Sequence, residues 1–235
     1  MNVEVSSSLE SRARVHAALG EPARLAVVDA LLLGDASPSE LSALLEMPSN
    51  LLAHHLKVLT EAGVVRRRRS EADRRRWYVQ LVPEAMAVVS VRGSGPPRAE
   101  RVVFVCTRNS ARSRMAAALW TARSAVPATS AGTEPGPGAH RRAVRVARRH
   151  GLVLDERVAR HVRRVTRPDD LVVAVCDNAY EHPDAYSPGP SPQLHWSVPD
   201  PAPVDTDAAF EDAFADLQAR VDRLTELMNT DQPPS

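Results

Sequence analysis

Cysteine is nearly missing from this chain, with 2 in 235 residues. Two cysteines cannot build a disulfide framework, which excludes the small stapled scaffolds. No stretch approaches the ~20 consecutive apolar residues of a membrane span. The opening MNVEVSSSLESRAR has no basic segment followed by an apolar run, so a secretory signal is not expected and a cytoplasmic location is. Lysine is also scarce: Lys57 stands alone, and the other 29 basic residues are arginine. With abundant Ala and 19 Pro, this bias reflects a GC-rich genome before it reflects a function. The net charge of +1 singles out no class of partner. What is present is a hydrophobic fraction of 43%, enough for a buried core, which excludes global disorder. The length suits one large or two ordinary domains.

The segment Val91–Glu100 reads VRGSGPPRAE. Its Gly, Ser and Pro break any regular pattern and mark a linker. Two domains follow, 1–90 and 101–235, joined by 91–100. The first shows helical patterns that end in a strand pair. The second begins with the apolar strand Arg101–Val105 and then alternates strand and helix patterns, which implies α/β architecture around a central parallel sheet. No internal repeat is visible. The tail from Asn229 to Ser235 is polar and Pro-rich and is expected to fray.

In the first domain, helical patterns cover Leu9–Leu19, Pro22–Leu33, Pro38–Leu45 and Ser49–Ala62. Ser37 before Pro38 is a good N-cap, with Glu40 in the first turn. Ser49 is expected to cap the next helix, and Gly63 to stop it. Strands are expected at Val65–Arg69 and Arg76–Leu81, with Ser70–Arg75 turning between them. Between Val64 and Trp77 stand seven Arg and two acids, a local excess of five positive charges. Helix, turn, helix and basic hairpin is the layout of a winged helix-turn-helix. A helix fits the DNA major groove, and a basic hairpin reaches flanking phosphates. Ser49, Asn50, His54, His55 and Lys57 are the candidate groups on the last helix, held to the core through Leu52, Leu56 and Leu59. Arg66, Arg67, Arg68, Arg69, Arg74, Arg75 and Arg76 would supply the salt-sensitive phosphate contacts. Adjacent His54 and His55 cannot face one ligand from a helix, so no metal site is read there.

The stretches ALGEPARLAVVDALL, LSALLEMPSNLLAHHLKVLTEAGVVRRRR and RRRWYVQL resemble the ArsR family of small bacterial repressors over Leu9 to Pro83. The resemblance implies a homodimer on a double-stranded DNA operator. Many metal-sensing relatives carry Cys-x-Cys on the helix before the turn. Here that region reads GDASPSEL, so it offers no thiols for direct arsenite or metal sensing.

The strongest signal is RVVFVCTRNSARSRMAAALW, Arg101 to Trp120. An apolar strand delivers Cys106, a polar loop follows, and a helix begins near Ser113. A loop of about six residues between a strand and a helix N-terminus can wrap a tetrahedral oxyanion with its N–H groups. The helix end adds positive field, and Arg112 can fork onto two oxygens. The same field favours thiolate at Cys106, a nucleophile beneath the bound ion. The oxyanion cradle is Thr107, Arg108, Asn109, Ser110, Ala111, Arg112 and Ser113. Asn109 is expected to brace the loop, and Ser113 to hydrogen-bond the sulfur.

The blocks CTRNSARSRMA, SAGTEP, DLVVAVCDNA and HWSVPDPA, in that order, resemble the low-molecular-weight tyrosine phosphatase fold, and within it the thiol-linked arsenate reductases. The match covers Arg101 to about Met228. Arg108 stands where the family usually has Gly. The resemblance implies that Asp200, before Pro201, protonates a leaving oxygen, and that His195 and Trp196 position its loop. It implies a second redox thiol at Cys176. The third cysteine of three-cysteine reductases is missing from EHPDAY. An internal three-cysteine relay is thereby excluded. Either Cys176 forms a disulfide with Cys106 that an external thiol releases, or a small thiol attacks the arsenic adduct directly; the external reductant expected is of thioredoxin, glutaredoxin or mycothiol type. No bound cofactor or metal is implied.

Three functions follow. The first is a DNA-binding regulator fused to a thiol-dependent arsenate reductase acting in arsenic resistance. The second keeps Cys106, Arg112 and Asp200 but makes the domain a tyrosine phosphatase. The third is a repressor that senses arsenate or a phosphate-like oxyanion without turnover.

Overall fold

A computed structural model of the chain describes residues 3–86 and 99–230. Two compact units emerge, Met1–Ser70 with Arg74–Ser94, and Glu71–Asp73 with Gly95–Ser235. The expected linker, apart from its last two residues, lies outside the described residues, as do residues 231–235 of the expected frayed tail. Among the described residues, no helix is long and apolar enough to cross a membrane.

The first unit runs α1 (Val3–Leu19), α2 (Pro22–Leu31), α3 (Pro38–Leu44), α4 (Ser49–Glu61), β1 (Val65–Arg69), β2 (Trp77–Leu81) and the single turn α5 (Pro83–Met86). Helix starts are set by side chains that satisfy free amides. The Glu21 carboxylate accepts from the Ala23 and Arg24 amides ahead of Pro22. Ser37 and Glu40 form a reciprocal capping box around Pro38. Ser49 does not cap α4: Pro48 holds the N-cap position, no side chain caps the helix, and Ser49 is its first residue. Gly63, at φ +72°, takes the left-handed conformation that ends α4, where a Cβ would be strained. Val27, Val28, Leu31, Leu41, Leu52, Leu56, Leu59 and Tyr78 are buried together in the core of the unit. β1 and β2 form an antiparallel hairpin with Val65 opposite Leu81 and Arg69 opposite Trp77. Ala36 bridges to Val79 and so ties the hairpin to the α2–α3 connection.

The second unit contains β3 (Arg101–Cys106), α6 (Arg112–Thr121), β4 (Ala128–Gly132), α7 (Arg141–Arg149), β5 (Asp170–Ala174), α8 (Asp177–Glu181), β6 (Leu194–His195) and α9 (Asp207–Thr230). Its sheet is parallel throughout, in the order β4-β3-β5-β6. Val102 to Val105 and Leu171 to Ala174 are all buried, as expected of strands covered on both faces. The chain leaves β3 to one side for β4 and then returns to the other side for β5. This reversal places the topological switch point at the C-terminal end of β3, where open α/β sheets bind ligands. Cys106 is the last residue of that strand. Phe104 packs between Trp120 and Trp196 behind it. The basic helix α7 buries Ala143, Val144, Val146 and Ala147, and its arginines pair with Asp207 and Glu211 of α9. Gly151, at φ +71°, follows its end. His140 and His161 cap the starts of α7 and a 3-10 turn at Val162–Arg164.

Candidate active site and nucleic-acid face

The loop after β3 is turned inside out by its surroundings. The Cys106, Thr107, Arg108 and Ser110 carbonyls accept from the amides of Thr133, Glu134, Gly136 and His140 at 2.8–3.1 Å. The Asn109 carbonyl accepts from Arg114 Nε at 2.6 Å. Five consecutive carbonyls are thus held outward. A trans peptide sets its N–H opposite its C=O, so the amides of residues 107 to 111 are turned to the inner side of the loop. These are the elements of an anion nest at a helix N-terminus. Gly132 permits the close approach, because a Cβ there would lie 2.6 Å from the Thr107 carbonyl oxygen.

Asn109 and Ser113 act as expected. Asn109 adopts φ 50°, and its amide donates to Cys106 Sγ at 3.2 Å. Its side-chain amide donates to the hydroxyls of Ser113 (3.0 Å) and Ser130 (2.9 Å). The Ser113 hydroxyl lies 3.1 Å from Cys106 Sγ. The Cys106 sulfur therefore faces one amide and one hydroxyl, and the hydroxyl is itself held by the Asn109 side chain. α6 begins at Arg112, with Ala111 at its N-cap and no side-chain cap, so the first amides of this helix have no competing side-chain acceptor there.

Arg112 is buried and fixed at both ends of its fork. Nη1 donates to the Val198 carbonyl at 2.9 Å, and Nη2 meets Asp200 Oδ2 at 2.9 Å. Burial weakens its charge, but Cys176, Asp200 and Cys106 beside it outweigh burial and hold its pKa above the ordinary arginine value. Asp200 is thus held on Arg112, and Cys106 lies near enough to bear on the charge of the same guanidinium.

Cys176 sits at the N-cap of α8, buried and free, as is Cys106. Its sulfur accepts from the Ala179 amide at 3.4 Å and lies 3.6 Å from the Thr107 hydroxyl. Asn178 Nδ2 holds that hydroxyl at 3.1 Å. Thr107 therefore links the second thiol to the cradle. Burial pushes the Cys176 thiol up, against the pull of Arg112.

A buried pair that the sequence did not disclose lies beside it. Asp177 Oδ1 is 3.0 Å from His195 Nε2, and Tyr180 stacks on the imidazole at 4.1 Å between centroids. Burial raises the Asp177 carboxyl, but hydrogen bonds from His195 and Ser197 outweigh it and hold it below the usual carboxylate range. This pair anchors the strand that leads into the Asp200 loop.

In the first unit, Ser49, Asn50, His54 and Lys57 are exposed on α4. His55 is not a surface group. It is buried, 3.5 Å from Glu21, and packs beside Leu52, Leu56 and Leu59 on the inner stripe of the helix. Arg66, Arg67, Arg69, Arg74, Arg75 and Arg76 are exposed, while Arg68 is half-buried. Arg66 Nε donates to Gln80, and Arg69 lies 4.7 Å over the Trp77 ring, so the hairpin arms pre-order part of the basic set.

Residues 101–233 match the low molecular weight phosphotyrosine protein phosphatase family, and residues 19–68 match a helix-turn-helix domain. Among solved structures, an arsenate reductase from Archaeoglobus fulgidus DSM 4304 is 32% identical, covering 53% of this chain and 98% of its own, with a TM-score of 0.46. The Erwinia amylovora tyrosine phosphatase AmsI is 24% identical, covering 55% and 93%, with a TM-score of 0.46. The YwlE arginine phosphatase from Geobacillus stearothermophilus is 25% identical, covering 57% and 95%, also with a TM-score of 0.46. No curated protein matches the chain. The chain belongs, through its C-terminal domain, to the low molecular weight phosphotyrosine protein phosphatase family, and a helix-turn-helix domain precedes that domain.

Proposed function

We propose that the protein is a DNA-binding regulator of the ArsR type, cytoplasmic and homodimeric, fused to a thiol-dependent arsenate reductase. The observation that carries this reading is the second free thiol. Cys176 lies within contact distance of cradle residue Thr107, a feature that phosphoester hydrolysis does not require.

Arsenate enters the cradle as a tetrahedral oxyanion, held by the loop amides and Arg112. The Cys106 thiolate attacks arsenic, and one oxygen leaves as water with a proton from Asp200. Asp200 Oδ2 lies 2.9 Å from Arg112 Nη2, which puts its carboxyl beside the guanidinium proposed to hold the ion. The Cys176 thiol then attacks Cys106 Sγ, and its proton passes to the departing arsenite oxygen. The S–As bond breaks, its electron pair stays on arsenic, and arsenite leaves as the Cys106–Cys176 disulfide forms. Two thiols lose two electrons and As(V) gains two. An external thiol of thioredoxin, glutaredoxin or mycothiol type restores both cysteines. The first unit would place the protein on a double-stranded operator through α4 and the arginine hairpin, as expected for control of arsenic resistance.

The Arg112–Asp200 pair also favours a second reading, hydrolysis of a phosphotyrosine ester through the same Cys106 adduct. Arsenite formation from arsenate with each reductant, set beside aryl-phosphate hydrolysis, separates the two. The reductase reading expects arsenite and its loss in Cys176→Ser. Hydrolysis that persists in Cys176→Ser, without arsenite, supports the phosphatase.

A further inference from the structure

A groove of about 550 Å³ adjoins the cradle and the Asp200 loop. Arg108 and Ser110 of the cradle form one wall, α7 another, and Ala202 and Asp205 a third. Ala202 is tied to the catalytic loop, since its amide donates to Asp200 Oδ1 at 3.2 Å. The lining holds Arg108, His140, Arg141, Arg142 and Arg145 against one acid, Asp205. Asp205 is already committed to Arg142 (2.8 Å) and lies 3.7 Å from His140. Arg145 reaches Asp207 at 3.7 Å. Among the described residues, Arg108 and Arg141 have no ion-pair partner, and both are exposed. Gly136 lets the Arg108 guanidinium lie along the groove wall, where a Cβ would come within 3.3 Å of its Nε.

Arsenate is too small to need a second anion site, and the chain lacks a third cysteine to regenerate its thiols. A cavity of this size suits a tripeptide-sized molecule. Two free guanidiniums suit carboxylates, which they can hold in forked pairs. We infer that the groove binds a small thiol bearing carboxylates, the reductant of the proposed reaction. This inference rests on the reductase reading. The bound thiolate attacks Cys106 Sγ of the Cys106–Cys176 disulfide, and Cys176 leaves as thiolate. A second thiol attacks the mixed disulfide, releasing the small-molecule disulfide and Cys106. Two reductant thiols are oxidised for each disulfide reduced.

The test uses the full chain and two readouts. Calorimetry measures binding of S-methylglutathione, which carries the carboxylates and cannot react. Steady-state assays measure kcat/KM for glutathione relative to 2-mercaptoethanol, a neutral thiol that corrects for any general loss in a variant. In Arg108→Ala/Arg141→Ala, S-methylglutathione binding should weaken about tenfold or more, and the glutathione preference should fall by a similar factor. Arg141→Glu should give the same direction. Absence of S-methylglutathione binding to the wild type, or an unchanged preference in both variants, overturns the inference. Arginine-dependent S-methylglutathione binding without arsenite from any thiol preserves the groove as a carboxylate site but overturns its role as reductant and, separately, the reductase reading. Turnover driven by a thioredoxin-type protein alone overturns the small thiol.

Discussion

The hairpin of the first unit and the cradle of the second use arginine in opposite ways. In the hairpin of the first unit, Arg66, Arg67, Arg74, Arg75 and Arg76 are exposed, so any polyanion beside them would meet a summed field. In the second, Arg112 and Arg114 are buried, and each nitrogen that matters has a fixed partner. A field built from many solvated charges degrades gradually as members are removed. A cradle built from single buried donors fails when one is lost.

The largest effects should come from breaking the cradle. Cys106→Ser should abolish adduct chemistry. Arg112→Lys keeps the charge but loses the fork to Val198 and Asp200, and should lower kcat by about 10²-fold or more in the arsenite assay. Asp177→Asn tests the buried pair behind the Asp200 loop. Removing one partner of such a pair costs about 3 kcal/mol, readable by denaturant unfolding of the second unit. The sign with pH follows from its lowered carboxyl. The pair stabilises above the ordinary carboxylate range, and that stabilisation is lost as pH falls through the depressed folded value. The gap between wild type and variant should therefore be full at pH 7 and close in strong acid. Gly132→Ala should push the Thr107 carbonyl away and cost about 1–3 kcal/mol, with a matching fall in kcat/KM for the oxyanion.

The smallest effects belong to the hairpin. Arg66→Ala or Arg74→Ala should weaken operator binding uniformly across sequences and reduce the salt slope by about one each, measured by titration at several salt concentrations. His55→Ala sharpens the contrast within α4. It should lower the stability of the first unit and leave the salt slope unchanged, because the ring is buried.

Local patterns were well legible in the sequence. β1 matched its expected span, α6 began one residue from its expected start, and the Ser37 cap gained its Glu40 partner. Strand, loop and helix are neighbours in the chain, so the Cys106 cradle could be read from one stretch. His55 was misplaced although the signal was present: it falls three residues after Leu52 and four before Leu59, on the stripe that faces the core. Ser49 failed as a cap because Pro48 takes that position. The Asp177–His195 pair spans 18 residues, and the Asn109–Ser130 contact spans 21. The parallel sheet creates both by bringing distant strand ends together, which no local spacing reveals.

In the proposed reaction two thiols, Cys106 and Cys176, serve one cradle. The most direct measurement is arsenite formed from arsenate by the full chain, with thioredoxin-type and small-thiol reductants supplied separately. Wild type, Cys106→Ser and Cys176→Ser are compared. Arsenite from the wild type, none from Cys106→Ser and a large loss in Cys176→Ser is the predicted result. No arsenite with any reductant, or undiminished turnover in Cys176→Ser, would contradict it.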